Sequence, residues 1–141
     1  MMRLTVVSIV CAVLGLAGAG AMDGAMAQGK PQCESRESLA PSGEIRDIVC
    51  PLSAAGSSQS YRFKANFTGS HDDTSASLAA TLDGAPLACA QGSKTNLMGE
   101  DGEVSLDCRF AVAPKAGSQQ VLRVMVTYRH AQYTDFELVS D

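Results

Sequence analysis

The sequence predicts an all-β fold: an antiparallel two-sheet sandwich of about seven strands, braced by two disulfides. Three observations carry this. Apolar side chains recur at every second position in several separate stretches, the pattern of strands that bury one face. Turn-forming Gly, Pro, Asn, Asp and Ser punctuate those stretches at short intervals. An even set of cysteines remains after an export leader is removed, which reads as a disulfide framework. An immunoglobulin-like arrangement is the first expectation, and a jelly roll or small barrel the alternative.

The leader comes first. Met1-Met2-Arg3 is a basic start, residues 4–16 are apolar apart from Thr5, Ser8 and Gly15, and a small-residue tail ends in Ala25-Met26-Ala27. These are the three parts of a secretory signal peptide, with cleavage expected after Ala27 and Ala19 or Ala21 as alternative sites. The apolar run is too short to cross roughly 30 Å of hydrocarbon as a helix, so an uncleaved anchor is the weaker reading. The expected organisation is a signal peptide over 1–27, an N-terminal arm over 28–43 and a β-sandwich domain over 44–141. A periplasmic or secreted location follows, with no membrane attachment after cleavage.

The arm opens with a polar Gln28-Gly29-Lys30-Pro31 and reads as irregular, with at most one helical turn over 34–39 before Pro41-Ser42-Gly43. The first strand is expected at 44–50, with Ile45, Ile48 and Val49 apolar. A Ser-, Ala- and Gly-rich loop follows. Residues 60–68 then alternate cleanly: Tyr61, Phe63, Ala65 and Phe67 on one face, Arg62, Lys64, Asn66 and Thr68 on the other. After a polar turn, 75–82 alternate again, with Ala76, Leu78, Ala80 and Leu82 inward. Asp83-Gly84 readily supplies the positive φ angles of a two-residue hairpin. Pro86 lacks an N–H, so the strand at 85–89 belongs at a sheet edge. A long loop is expected over 90–102.

The period of two resumes at 103–112, with Val104, Leu106, Cys108, Phe110 and Val112 on one face. At 119–128, Leu122, Val124, Val126 and Tyr128 form the stronger side, opposite Val121 and Met125. The last strand is expected at 133–139, with Phe136 and Leu138 inward. No stretch of the mature chain carries a helical period. Cysteine order favours the pairs Cys33–Cys50 and Cys89–Cys108, each closing a loop whose restriction in the unfolded chain contributes about 3 kcal/mol.

Composition excludes several functions. The 141-residue chain carries a net charge of −4, and its Lys and Arg form no stripe, so neither nucleic acid nor anionic lipid is an expected partner. There is no G-x-S-x-G elbow, no H-E-x-x-H motif and no phosphate-cradling loop. The chain is therefore read as non-enzymatic.

If successive strands alternate in direction, the connections at 69–74, 90–102 and 129–132 share one end of the sandwich. Functional side chains often sit on such loops. The leading expectation is a binding or accessory module that recognises an envelope or extracellular protein or glycan there, through Leu97, Met98, Tyr128 and Tyr133. The alternative is a periplasmic metal-binding protein using His71 and His130 with Asp72 and Asp73. Two imidazoles with Met98 would suit copper, and carboxylates would suit calcium. No cofactor other than such a metal ion is expected. A small hydrolase, or an inhibitor of one, is the second alternative. A plain set of solvated turns accounts for the same residues without any function.

Overall fold

The computed structural model describes residues 30–53, 57–69, 73–93, 95–97, 102–115 and 117–141. The expected signal peptide at 1–27 lies outside the described residues. Among those residues there are ten strands and no helix. They are β1 (Glu34–Ala40), β2 (Gly43–Leu52), β3 (Gln59–Gly69), β4 (Ser75–Leu82), β5 (Ala85–Leu87), β6 (Gln91–Ser93), β7 (Thr95–Leu97), β8 (Gly102–Val112), β9 (Gln120–Arg129) and β10 (Ala131–Ser140).

Two antiparallel sheets face each other. The first runs β1-β2-β9-β4-β5, with β7 also on β4; the second runs β10-β3-β8-β6. The predicted sandwich is therefore present, and its strand order decides between the two expected connectivities. In an immunoglobulin domain the last two strands of the sandwich lie side by side in one sheet. Here β9 and β10 lie in opposite sheets, and β9 is inserted between β2 and β4. The chain changes sheet at every step except the β1–β2 turn and the β4–β5 hairpin, which is the jelly-roll manner of connection. Alternation within a strand specifies its buried face but not its neighbours, so the first-choice arrangement gives way to the second.

The core is the sum of the inward phases. Ile48, Cys50 and Leu52 of β2 meet Tyr61, Phe63, Ala65 and Phe67 of β3, with Leu106, Cys108 and Phe110 of β8 and Leu122, Val124, Val126 and Tyr128 of β9. Both predicted disulfides are formed, Cys33–Cys50 and Cys89–Cys108. Two such bridges suit an oxidising compartment. The Asp83-Gly84 hairpin has φ values of 50° and 83°, the doubly positive geometry that this pair favours. It is tied to the start of β9 by Asp83 N–H donating to the Val121 carbonyl at 2.9 Å, and by Val121 N–H donating to Asp83 Oδ1 at 2.9 Å.

Three strands depart from the expectation. The segment read as an irregular arm with a helical turn is β1, laddered onto β2 from Glu34↔Val49 to Ala40↔Gly43. Its side chains are exposed on both faces, so no burial pattern betrays it. The expected loop at 90–102 contains β6 and β7, three residues each, one in each sheet. Gly92 in β6 has φ +104°, and a Cβ there would collide with the Asp107 carbonyl oxygen, so glycine is what lets β6 lie against β8.

The outer faces are ionic. Arg123 donates Nε and Nη2 to the two oxygens of Asp47 at 2.8 and 2.7 Å on the first sheet. Arg62 makes the corresponding fork to Asp107 on the second. In each case the hydrogen-bonded guanidinium holds the carboxyl below its ordinary range. Both pairs are solvent-accessible, so each contributes little to stability.

Candidate functional site

The registers assemble one end of the sandwich from distant parts of the chain. Glu44 lies opposite Tyr128, Ser75 opposite Arg129, and Ala131 opposite Gly69. Leu97 lies opposite Ser75 and Gly102 opposite Gly69. The ends of the connections at 69–74, 97–102 and 129–131 thus meet at one rim, the grouping expected from strand alternation. A fourth joins them: the Pro41-Ser42 turn between β1 and β2.

The turns are locked to one another. Thr74 is fully buried and its hydroxyl donates to the His130 carbonyl at 2.8 Å. A Cβ on Gly69 would fall 2.5 Å from Thr74 Cγ2, so the missing side chain is what admits the threonine. His130 itself has φ 50°, a left-handed conformation uncommon outside glycine. It reverses the chain at a single residue, where a four-residue connection was expected, so β10 starts at Ala131. The His130 imidazole Nδ1 is 2.6 Å from Asp73 Oδ1, with both side chains exposed.

Of the four expected metal-site residues, His130 and Asp73 are therefore joined; His71 and Asp72 lie outside the described residues, as does Met98. Among the described residues no group of three His, Cys, Asp or Glu side chains is placed to hold an ion. Leu97 lies in β7 at this same end.

The two tyrosines divide. Tyr133 is half-buried at the rim. Tyr128 is only 1 % exposed, and its expected place on a contact surface is corrected: it belongs to the inward phase of β9, and that phase is core. Its role is support. Tyr128, Phe67 and Tyr133 form a cluster with ring centroids 5.2 Å (Phe67–Tyr128), 5.8 Å (Phe67–Tyr133) and 6.4 Å (Tyr128–Tyr133) apart.

Over this cluster sits Arg46, a residue the sequence reading passed over. Its guanidinium carbon is 4.4 Å from the centre of the Tyr133 ring, a cation–π distance. Its Nη2 donates to Glu37 Oε2 at 2.6 Å. Its Nε is enclosed without a hydrogen-bond partner among the described residues. A signal for it did exist. Arg46 is two residues before Ile48 and four before Cys50, both fully buried, so it shares their inward phase. Glu37 could not have been found, because it lies on the unpredicted β1, opposite Arg46.

Burial raises the phenol of Tyr133 to about 12, and burial also raises Tyr128 and Tyr61 from the ordinary 10.0. These are all three tyrosines of the chain. The neutral phenols favour the folded state, so their stabilisation is complete below pH 10 and is lost as pH rises from there towards 12. Ultraviolet titration of the native protein at pH 10 is expected to show less tyrosinate than the denatured protein shows. Half-ionisation at that pH in a folded sample would contradict the packing described.

Elsewhere, two adjoining depressions of about 480 and 420 Å³ lie on the outer face of the first sheet, sharing Glu34, Val49 and Val121. Among the described residues no aromatic side chain lines either of them. No protein-family model matches the chain, and no curated protein matches it. Among solved structures, the chain is similar to the C-terminal CBM6 of LamC, a marine laminarinase from Zobellia galactanivorans, with a TM-score of 0.37 and 9 % identity over 80 % of this chain and 94 % of that one.

Proposed function

We propose that the protein is an exported, non-catalytic module that binds an envelope glycan at the rim carrying Tyr133, Arg46 and Glu37. Export rests on the leader pattern at 1–27 and on the two disulfides. The observation that carries the binding reading is the fixed guanidinium: Arg46 is held between a carboxylate and an aromatic face, above a buried ring cluster. Sugar hydroxyls call for rigid, planar, paired donors and acceptors. Glu44, Asp73, Arg129, His130 and Gln132 are exposed at the same end of the sandwich. A protein-binding patch would instead need a desolvated apolar centre. The large hydrophobics exposed among the described residues are Leu39, Val121 and Met125. Leu39 stands singly at the rim, opposite Glu44, and the other two lie on the outer face of the first sheet, away from it.

Affinity electrophoresis in gels containing peptidoglycan fragments, neutral β-glucans or acidic polysaccharides tests this. At least one glycan class is expected to retard the protein. Arg46→Met keeps the aliphatic stem and removes the guanidinium; His130→Gly removes the imidazole and tolerates the positive φ. Each is expected to weaken retention about fivefold, the loss of roughly one hydrogen bond. Retention untouched by both variants, or no retention by any class, would sink the proposal. The metal reading would use the Asp73–His130 pair with His71 and Asp72. It expects a melting temperature that climbs when copper(II) or calcium is added, whereas the glycan reading expects none.

A further inference from the structure

β1 is fastened unlike any other long strand. Its side chains from Glu34 to Leu39 are exposed on both faces, so none of them anchors it in the core. β2, β3, β4, β8, β9 and β10 each bury at least one side chain there. Among the described residues the ladder of β1 is with β2 alone. A turn closes one end of that ladder at Ala40↔Gly43, and the Cys33–Cys50 bridge closes the other, one step beyond Glu34↔Val49 in the same register. Before Cys33, Lys30 Nζ reaches Glu137 at 3.0 Å, with both side chains exposed; an ion pair this open holds little.

The two bridges therefore fasten different things. Each joins a fully buried cysteine, Cys50 or Cys108, to a partly exposed one, Cys33 or Cys89. Cys89–Cys108 ties one sheet to the other, and Cys108 lies mid-strand between β3 and β6. Cys33–Cys50 ties an edge strand to its neighbour within one sheet. Peeling β1 from β2 leaves the core shared by the two sheets in place. Local openings of this kind cost less than global unfolding.

We propose that Cys33–Cys50 is a redox latch on β1, opened by a dithiol protein, and that β1 carries Glu37 away from Arg46 when the latch opens. A thiolate of the dithiol attacks Cys33 Sγ, the less buried sulfur. The S–S bond breaks, and Cys50 leaves as a thiolate that takes up a proton. The second thiol of the dithiol then displaces Cys33, which leaves as a thiol. The bridge gains two electrons and two protons, and the dithiol becomes a disulfide. Glu37 is the middle residue of β1, opposite Arg46, and accepts from Arg46 Nη2 at 2.6 Å. With β1 lifted, Arg46 keeps the Tyr133 face and loses its carboxylate. The latch stands on the fold alone; its effect on binding rests on the glycan reading.

The test treats the purified protein with dithiothreitol at roughly pH 8, where thiolate forms, and marks free thiols with iodoacetamide. Cys33 and Cys50 are expected to be alkylated in protein that is still folded. Protected amides within 34–40 are expected to exchange about tenfold faster than in the oxidised protein, with β3, β8 and β9 unchanged. The variant Cys33→Ser with Cys50→Ala opens the same latch while keeping Cys89–Cys108, and is expected to show the same exchange pattern. A bridge that stays closed until the whole sandwich unfolds would overturn the proposal. So would β1 amides as slow in the variant as in the oxidised protein, or exchange that accelerates equally in β3, β8 and β9. Glycan retention is expected to be about fivefold weaker in the variant, the loss of roughly one hydrogen bond. Equal retention with a lifted β1 would overturn the control of the site. A lifted β1 with no retention by either form would uphold the latch and sink the glycan reading, so the two fail separately.

Discussion

Removing the Cys89–Cys108 bridge, by the double change Cys89→Ser and Cys108→Ala, is expected to lower stability by about 3 kcal/mol. The two cysteines are 19 residues apart, and the bridge deprives the unfolded chain of that loop's freedom. The native state loses as well. Cys108 is fully buried between Leu106 and Phe110 in β8, and Cys89 leaves β5 in the other sheet. The bond is thus a covalent tie between sheets at the place where the chain is least well paired. β5, β6 and β7 each hold their neighbours through three-residue ladders, too short to be stable alone. A domain of this size has a total stability of roughly 5–15 kcal/mol, so the loss is a large share of it. Urea unfolding of wild type and variant measures it. A difference under about 1 kcal/mol would mean that the bridge constrains little in either state.

Phe67→Ala is expected to cost about 3–5 kcal/mol, the range for emptying a buried aromatic site. Phe67 is 1 % exposed and contacts both tyrosine rings. Its loss leaves Tyr133 without the edge-on partner that sets its tilt, and Arg46 rests on Tyr133. The prediction is therefore twofold: a fall in unfolding free energy, and weaker glycan retention at temperatures where the variant is still folded. Phe63→Ala supplies the contrast. Phe63 is equally buried but stacks on Phe136, with ring centroids 6.1 Å apart, and has no ring contact with Tyr133 or Tyr128 among those described. It is expected to cost a similar amount of stability and to leave retention intact. If both variants lose retention equally, the effect is general loosening and the support assigned to the Phe67–Tyr128–Tyr133 cluster is wrong.

Much of the fold was legible where burial is one-sided. The predicted 60–68 strand is β3, and its four inward residues are all buried. The 75–82 strand matches β4 in both bounds, and Asp83-Gly84 forms the tight turn its residues favour. Cysteine order alone favoured the pairing that is seen. The rim was legible in outline too, because alternating strand direction assigns connections to ends. β1 was not legible, because Glu34-Ser35-Arg36-Glu37-Ser38-Leu39 buries neither face: it is held by backbone bonds to β2 and by the Cys33–Cys50 bridge, neither of which writes a period into side chains. β6 escaped for the same reason, since its three residues are all exposed. Tyr128 was assigned to a surface although it closes the inward series Leu122, Val124, Val126; the phase of the strand outranked the chemistry of the residue.

What the sequence determined by itself is the period of each long strand, the face it buries, the hairpin turn and the cysteine framework. These are local properties, set by which side chains water excludes. What only the tertiary structure decided is adjacency: β9 between β2 and β4, Glu37 beside Arg46 beside Tyr133, and Asp73 against His130. Adjacency depends on how two sheets twist and slide over a shared core, and a strand's own pattern is the same whichever strand lies next to it.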